Sequence, residues 1–258
     1  MSKLALVTGA TSGIGRAYAD RLAADGYDLI AVGRNTARLD DLVEAHPQVR
    51  IEAVEADLST LAGIEKVAAA AASEPVDLLV NNAGVAHYMP LAELPADKAT
   101  ELMHVKVLAP TLLARAALGG MLERGTGTIV NVGGMIAFSG PAPSSVMPRR
   151  AVYGGGLAHL LAFSQLLAAE LEGTGVRVQA LLPGVVATEF HTRQGIDLSA
   201  IPRMTPADVV TASLRGLELG ETVTAPGVED TGLLDAVFGA DLAAFGGQST
   251  ELATRYRD

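Results

Sequence analysis

Leu4-Ala5-Leu6-Val7-Thr8-Gly9-Ala10-Thr11-Ser12-Gly13-Ile14-Gly15 is the stretch that decides the fold. Its first five residues form a short apolar run that ends at a glycine, the pattern of a buried strand. Gly13–Ala24 follows as an Ala/Leu-bearing stretch of helical length. The glycines between them permit a tight turn and let a ligand approach the backbone closely. The unpaired N–H groups and positive end of the following helix would then attract a pyrophosphate. A glycine triplet alone is an ordinary turn. Placed between a first strand and a first helix, it reads as a dinucleotide loop.

Outward from that loop, short β-branched runs alternate with longer helical stretches. Strands are expected near Leu4–Thr8, Asp28–Val32, Arg50–Val54, Val76–Asn81, Thr128–Val132 and Val176–Leu182, with a last one near Thr222–Ala225. Helices are expected over Gly13–Ala24, Thr36–Ala45, Thr60–Ala72, Ala96–Glu123, Val152–Glu172 and Pro206–Leu219. Helices of this length between strands act as crossovers, so the sheet should be parallel and covered on both faces. Runs such as LALVT and DLLVN are apolar on both sides, as central parallel strands require. The pattern predicts a Rossmann-like, doubly wound α/β fold of about seven strands, in one domain over 1–258.

Composition narrows the function. The 258 residues are 49% hydrophobic but only 4% aromatic, so Ala, Val, Leu and Ile must build the core. Cysteine is absent, which excludes disulfides and thiolate metal sites and fits a reducing cytoplasm. The opening MSKLALVTGA lacks the order of a signal peptide, and no run of roughly 18 apolar residues suggests a membrane span. A net charge of −10, spread along the chain, argues against nucleic acid as a partner. His87, His104 and His159 have no metal-ligand spacing, and no metal is expected.

The TGxxxGIG spacing of Thr8–Gly15 resembles that of the short-chain dehydrogenase/reductase family, and the similarity runs through nearly the whole chain. Asn81-Asn82-Ala83-Gly84 matches the family's NNAG motif, which steadies the sheet and the adenine-ribose side. Asp57-Leu58 resembles the pair that meets the adenine ring. Pro183-Gly184-Val185-Val186-Ala187-Thr188 resembles the PGxVxT segment that grips the nicotinamide carboxamide. The resemblance thus implies a nicotinamide dinucleotide held by Gly9, Thr11, Ser12, Gly13, Ile14, Gly15, Asp57, Leu58, Asn81, Ala83, Gly84, Pro183, Gly184, Val186 and Thr188. Arg34 follows the second strand, where an acid would bind a ribose 2′-hydroxyl. Its guanidinium suits a 2′-phosphate, so NADP is expected over NAD.

The catalytic half departs from the family. There a Tyr and a Lys spaced YxxxK share a helix face, and a Ser closes the preceding strand. Here Tyr153-Gly154-Gly155-Gly156-Leu157 keeps the tyrosine and puts Leu157 at the lysine position. Gly134 falls where the serine would be, and Lys106 where an asparagine would bend the helix. An unassisted phenol, with a pKa of ~10, is poorly matched to proton transfer near pH 7. Lys106 is the candidate replacement cation. It shares a helix face with Leu102, Ala109 and Leu113, and Pro110 deprives its carbonyl of a helical N–H. Tyr153 and Lys106 are therefore the expected catalytic pair.

The segment between Gly134 and Tyr153 is longer than the family's usual connection, and Ser139, Ser144 or Ser145 could lend a hydroxyl or serve only as turn residues. Arg149 and Arg150 could attract an anion or form a solvated pair. Glu189 and His191 begin the segment expected to cover the substrate, about 189–205, unless they are an exposed loop pair. A run of glycines beside Tyr153 implies close backbone approach or room for the pocket. Three readings follow: an NADP-dependent oxidoreductase on a small carbonyl or alcohol with an altered proton relay, an enzyme of non-redox chemistry (lyase, isomerase or cyclase), or a non-catalytic NADP-binding protein. The long helices resemble those that pair subunits in this family, implying a homodimer or homotetramer.

Overall fold

The computed structural model describes residues 2–143, 145 and 147–257. They group into two compact units, Met1–Pro226 and Gly227–Asp258, where the alternation of elements predicts one domain over 1–258. In the first unit seven parallel strands form one sheet: β1 (Leu4–Thr8), β2 (Asp28–Gly33), β3 (Ile51–Glu55), β4 (Leu78–Asn81), β5 (Gly127–Val132), β6 (Val176–Leu181) and β7 (Val223–Thr224). Their order is β3-β2-β1-β4-β5-β6-β7. The winding reverses between β1 and β4, so a crevice opens above the carboxyl ends of those strands.

The two-residue alternation of each strand sorts the core into two layers. Leu4 and Leu6 of β1 face Ile64, Val67, Leu113 and Leu167. These belong to α3 (Leu61–Ser73), α5 (Ala109–Arg124) and α6 (Ala151–Glu170). Ala5 and Val7 face Tyr18, Leu22, Leu39, Leu42 and Val209. Those lie on α1 (Gly13–Ala24), α2 (Thr36–Ala45) and α8 (Pro206–Leu219). Burial on both faces is what the unbroken apolar runs demand.

Polar side chains inside the core are paired, and they pin helices to the sheet. Tyr18 donates to Ser213 at 2.5 Å, Ser213 to Gln179, and Gln179 to Thr224, which ties α1 and α8 to β6 and β7. On the other face Asn81 donates to Asn131 and Asn131 to Ser164, which holds α6 against β4 and β5.

Sequence and structure differ in two helices. The stretch Ala96–Glu123 divides into α4 (Ala96–Met103), a π-helical turn (His104–Leu108) and α5. Within the turn the Ala109 N–H bonds the His104 carbonyl, five residues back. Pro110 has no N–H to give the Lys106 carbonyl, and a wider turn is the local accommodation. This helix and α6 are long and apolar enough to cross a membrane, contrary to the reading of no such run. Both pack on the sheet as core helices. Two further helices have no counterpart in the sequence reading. The short α7 (Glu189–Thr192) follows β6, and α9 (Gly232–Gly246) lies in the second unit. Leu233, Leu242 and Phe245 of α9 are exposed, and it buries no residue. A helix apolar all round has no 3.6-residue alternation to read.

Candidate active site

The strand-to-helix loop is shaped by backbone. Gly9 and Gly13 have φ of +68° and +55°, which side-chain-bearing residues rarely adopt. Ser12 at the N-cap of α1 makes no side-chain bond to the helix. The first-turn N–H groups of α1 therefore remain available to a ligand. A Cβ on Gly15 would sit 2.2 Å from the Gly9 carbonyl oxygen and 2.3 Å from the Asn82 amide nitrogen. Gly15 acts by letting α1 pack onto the loop, and it does not line the cavity.

That cavity, about 1100 Å³, runs along the carboxyl ends of the strands. Gly9, Thr11, Ser12, Gly13, Ile14, Arg34, Asp57, Leu58, Ala83, Gly84, Pro183, Gly184, Val186 and Thr188 line it, as do Lys106 and Tyr153. Asn81 does not. It is buried, donates to Asn131 at 2.9 Å, and its own Oδ1 has no partner among the described residues. The neighbouring Asn82, which the expected set omits, is the residue at the loop. Its amide side chain donates to the Thr8 carbonyl, while its N–H and that of Ala83 both donate to Thr8 Oγ1. The doubled Asn carried that signal, because successive residues at a strand end point opposite ways.

On the cavity wall Asp57 accepts from the Ser59 N–H at 3.0 Å. Burial works to raise this carboxyl, but the bonds from Ser59 and the nearby charge of Arg34 outweigh it and hold it below the usual range. Arg38 is a second guanidinium on the cavity wall that the sequence reading missed. It forms a bidentate pair with Glu189 at 3.0 and 3.1 Å. Glu189 also accepts from Arg193. Its carboxylate is thus engaged by two guanidinia, and it bridges α7 to α2. His191 lines the cavity, and desolvation with the charge of Arg203 holds it below its ordinary value.

Elsewhere on the cavity wall lie Lys106 and Tyr153. Lys106 is 5% exposed. A Cβ on Gly84 would lie 2.7 Å from its Nζ, so the ammonium rests against the NNAG turn. Among the described residues it has no hydrogen-bond partner, and burial pushes it down to about 8. Its stem passes under Gly156, where a Cβ would come within 3.3 Å of the Lys106 Cβ. Only Gly156 of the three glycines is needed for close approach; Gly155 faces open space.

Tyr153 is 7% exposed. Burial first, then pairing with Tyr88, raises its phenol above the ordinary value. Phe190 links the two groups: its ring is 6.4 Å from that of Tyr153, and its edge meets the Gly84 position beside Lys106. Gly134 and Leu157 face each other. A Cβ on Gly134 would meet Leu157 at 3.6 Å, so the contact at the two positions where the resemblance leads one to expect a serine and a lysine is apolar.

Among the described residues, the loop serines present no free hydroxyl to the cavity. Ser139 lines the cavity, yet its hydroxyl donates to the Ile136 carbonyl and accepts from Arg150 Nε at 2.8 Å. Its one proton is therefore committed. Ser145 is exposed and away from the cavity, and Ser144 lies outside the described residues. Arg150 is held by the Ser139 and Pro148 carbonyls, and neither it nor the exposed Arg149 lines the cavity. His87 pairs with Glu101, His104 bonds the Ser59 carbonyl and His159 stacks on Phe163. No cluster of metal-binding side chains occurs among the described residues.

This framework has known counterparts. The short chain dehydrogenase family model matches residues 3–198. A short-chain dehydrogenase from Sphingobium yanoikuyae in complex with NADPH superposes with a TM-score of 0.92, at 35% identity, over 99% of this chain and 100% of that one. The bulky-bulky ketone specific alcohol dehydrogenase from Comamonas testosteroni gives 0.88 at 30% identity, over 99% of each chain. Inactive hydroxysteroid dehydrogenase-like protein 1 from Homo sapiens is 34% identical over 193 residues, 72% of this chain and 56% of that protein. The chain spans about 60% of the length of the curated relatives it first matches. It belongs to the short-chain dehydrogenase family.

Proposed function

We propose that this protein is an NADP-dependent oxidoreductase that interconverts a small carbonyl compound and its alcohol, with Tyr153 as proton source and Lys106 as the cation that assists it. The observation that carries this reading is the buried ammonium of Lys106, without a hydrogen-bond partner among the described residues, in the same cavity as Tyr153. Leaving such a charge unpaired costs stability, and the cost has a use if the charge faces a group that must lose a proton.

The residues fit a nicotinamide dinucleotide. Glycines without room for a Cβ, an uncapped helix start and a long cavity lined by Arg34 match a pyrophosphate-containing ligand. When bound, that cofactor supplies or accepts the hydride. Arg34 would hold a 2′-phosphate. Gly9–Ile14 would hold the pyrophosphate, and Pro183–Thr188 the nicotinamide. Lys106 favours the Tyr153 phenolate by its charge and, losing its own proton near pH 8, passes protons between Tyr153 and water. The NADPH in the Sphingobium structure and the ketone in the name of the Comamonas enzyme support the cofactor and substrate class.

Stopped-flow oxidation of NADPH with a panel of ketones, aldehydes and activated alkenes tests the proposal. Consumption lost in Tyr153→Phe and reduced in Lys106→Met is expected. A second reading, NADP binding without net hydride transfer, is favoured by the Gly134–Leu157 apolar contact and by the relative named as inactive. Tight NADPH binding with no consumption by any acceptor would replace the first reading with it.

Exposed Leu122 on α5 and Leu166 on α6 fit a homodimer or homotetramer.

A further inference from the structure

Glu189 takes no part in the proton relay, and its contacts give it another role. Residues 187–203 form a flap between β6 and α8, with α7 near its start. The base of the flap is closed by a parallel bridge between Val186 and Met204. There the Ala187 N–H bonds the Met204 carbonyl at 2.9 Å, and the Met204 N–H bonds the Val185 carbonyl at 3.1 Å. The flap then rests on the glycine loop, since a Cβ on Gly13 would lie 3.0 Å from Thr188 Cγ2.

Past that point one polar tie leaves the flap. Among the described residues, Arg38 is its hydrogen-bond partner outside the segment, through both carboxylate oxygens of Glu189. Arg193 bonds the same carboxylate from within the flap and steadies it for Arg38. The tie covers a long distance in the sheet. α2 follows β2 and α7 follows β6, with β1, β4 and β5 between those strands. At ~4.8 Å per gap, β2 and β6 stand on the order of 20 Å apart. A direct bond between the helices that follow them must pass over the carboxyl ends of the three central strands, where the cavity runs. Arg38, Glu189 and Arg193 all line that cavity.

We propose that Glu189 is a positioning residue for the nicotinamide dinucleotide: paired with Arg38, it straps the flap across the cavity, and the cofactor enters and leaves when the pair opens. This rests on the dinucleotide site and needs no hydride transfer. The two side chains are 37% and 54% exposed, so the strap is weak enough to open readily and is screened by salt. A tie that closes the cavity with or without ligand slows entry and release alike. It therefore acts on rates and leaves Kd nearly unchanged.

Stopped-flow chase experiments test this, with release of NADPH followed against excess NADP⁺ and release of NADH against excess NAD⁺. They compare wild type, Glu189→Gln, Arg38→Met and the double variant. Each single change should speed the release of both nucleotides by roughly 2- to 5-fold, the worth of an exposed ion pair, with Kd moved by less than about twofold. The double variant should release no faster than either single one, because both remove the same contact. Added NaCl should speed release from wild type more steeply than from Glu189→Gln. An effect confined to NADPH would tie these groups to the 2′-phosphate and overturn the strap. Unchanged release in both single variants, or effects that multiply in the double, overturns it while the dinucleotide site stands. Failure of the wild type to bind either nucleotide overturns both.

Discussion

The two ends of the cavity are built on different principles. The phosphate-loop end is made of backbone: positive-φ glycines, an open helix start, and Thr8 and Asn82 bonded to main chain. The end that holds Lys106 is made of side chains: Lys106, Tyr153, Tyr88, Phe190 and the apolar pair at Gly134 and Leu157. Backbone geometry tolerates few residue types, so that end keeps a recognisable spelling. A proton relay needs only a donor and a charge in the right place, and these can arrive from a different helix.

If the contrast holds, small changes at the backbone end should be the most damaging. Gly15→Ala forces a methyl against the Gly9 carbonyl. It should cost about 3 kcal/mol or more, a fall in Tm of roughly 10 °C, and weaken NADPH binding. Normal Tm and normal titration of NADPH would break the contrast.

The side-chain end should respond with opposite signs in stability and activity. Lys106 is pushed from its ordinary 10.5 down to about 8 by burial. Below pH 8 both folded and unfolded chains hold the proton, and the cost of burying the charge is fully present. Between 8 and 10.5 the folded state sheds it first, so stability rises with pH across that window. Lys106→Met should therefore be more stable than wild type at pH 7, by on the order of 3 kcal/mol, while reducing turnover. Chemical denaturation at pH 7 and pH 10 checks this. A less stable Lys106→Met would mean the ammonium is compensated.

Arg34→Ala should weaken NADPH binding by about 10- to 100-fold, the worth of a charge-assisted bond, and leave NADH unchanged. Equal losses for both nucleotides would assign Arg34 a structural role instead. The smallest effect is expected at Gly134→Ser. Its backbone is extended, with φ of 173°, and a Cβ meets nothing closer than 3.6 Å. Thermal unfolding should shift by no more than about 2 °C. A larger drop would show that the space is needed empty.

The same division governs what could be read from sequence. The sheet, its strands and the helices that cover it follow from apolar runs and glycine turns, because each element announces itself locally. Lys106 was legible for a similar reason: Pro110 marks the broken helical bond beside it. Tyr88 and Arg38 were not, since nothing local distinguishes a cavity-lining tyrosine or arginine from a surface one. Asn81 was assigned in place of Asn82 because a motif gives composition but not which side of a strand end each residue faces. Ser139 drew notice as a hydroxyl, but only the fold shows Arg150 and Ile136 engaging it.

The pH profile of kcat/KM for NADPH-dependent ketone reduction, in wild type and Lys106→Arg, tests most directly whether Lys106 supplies the cation for Tyr153. A reduction rate that falls above about pH 8 in wild type, with the falling limb moved to higher pH when a permanently charged guanidinium replaces the amine, is the predicted result. Identical falling limbs in the two proteins would contradict it.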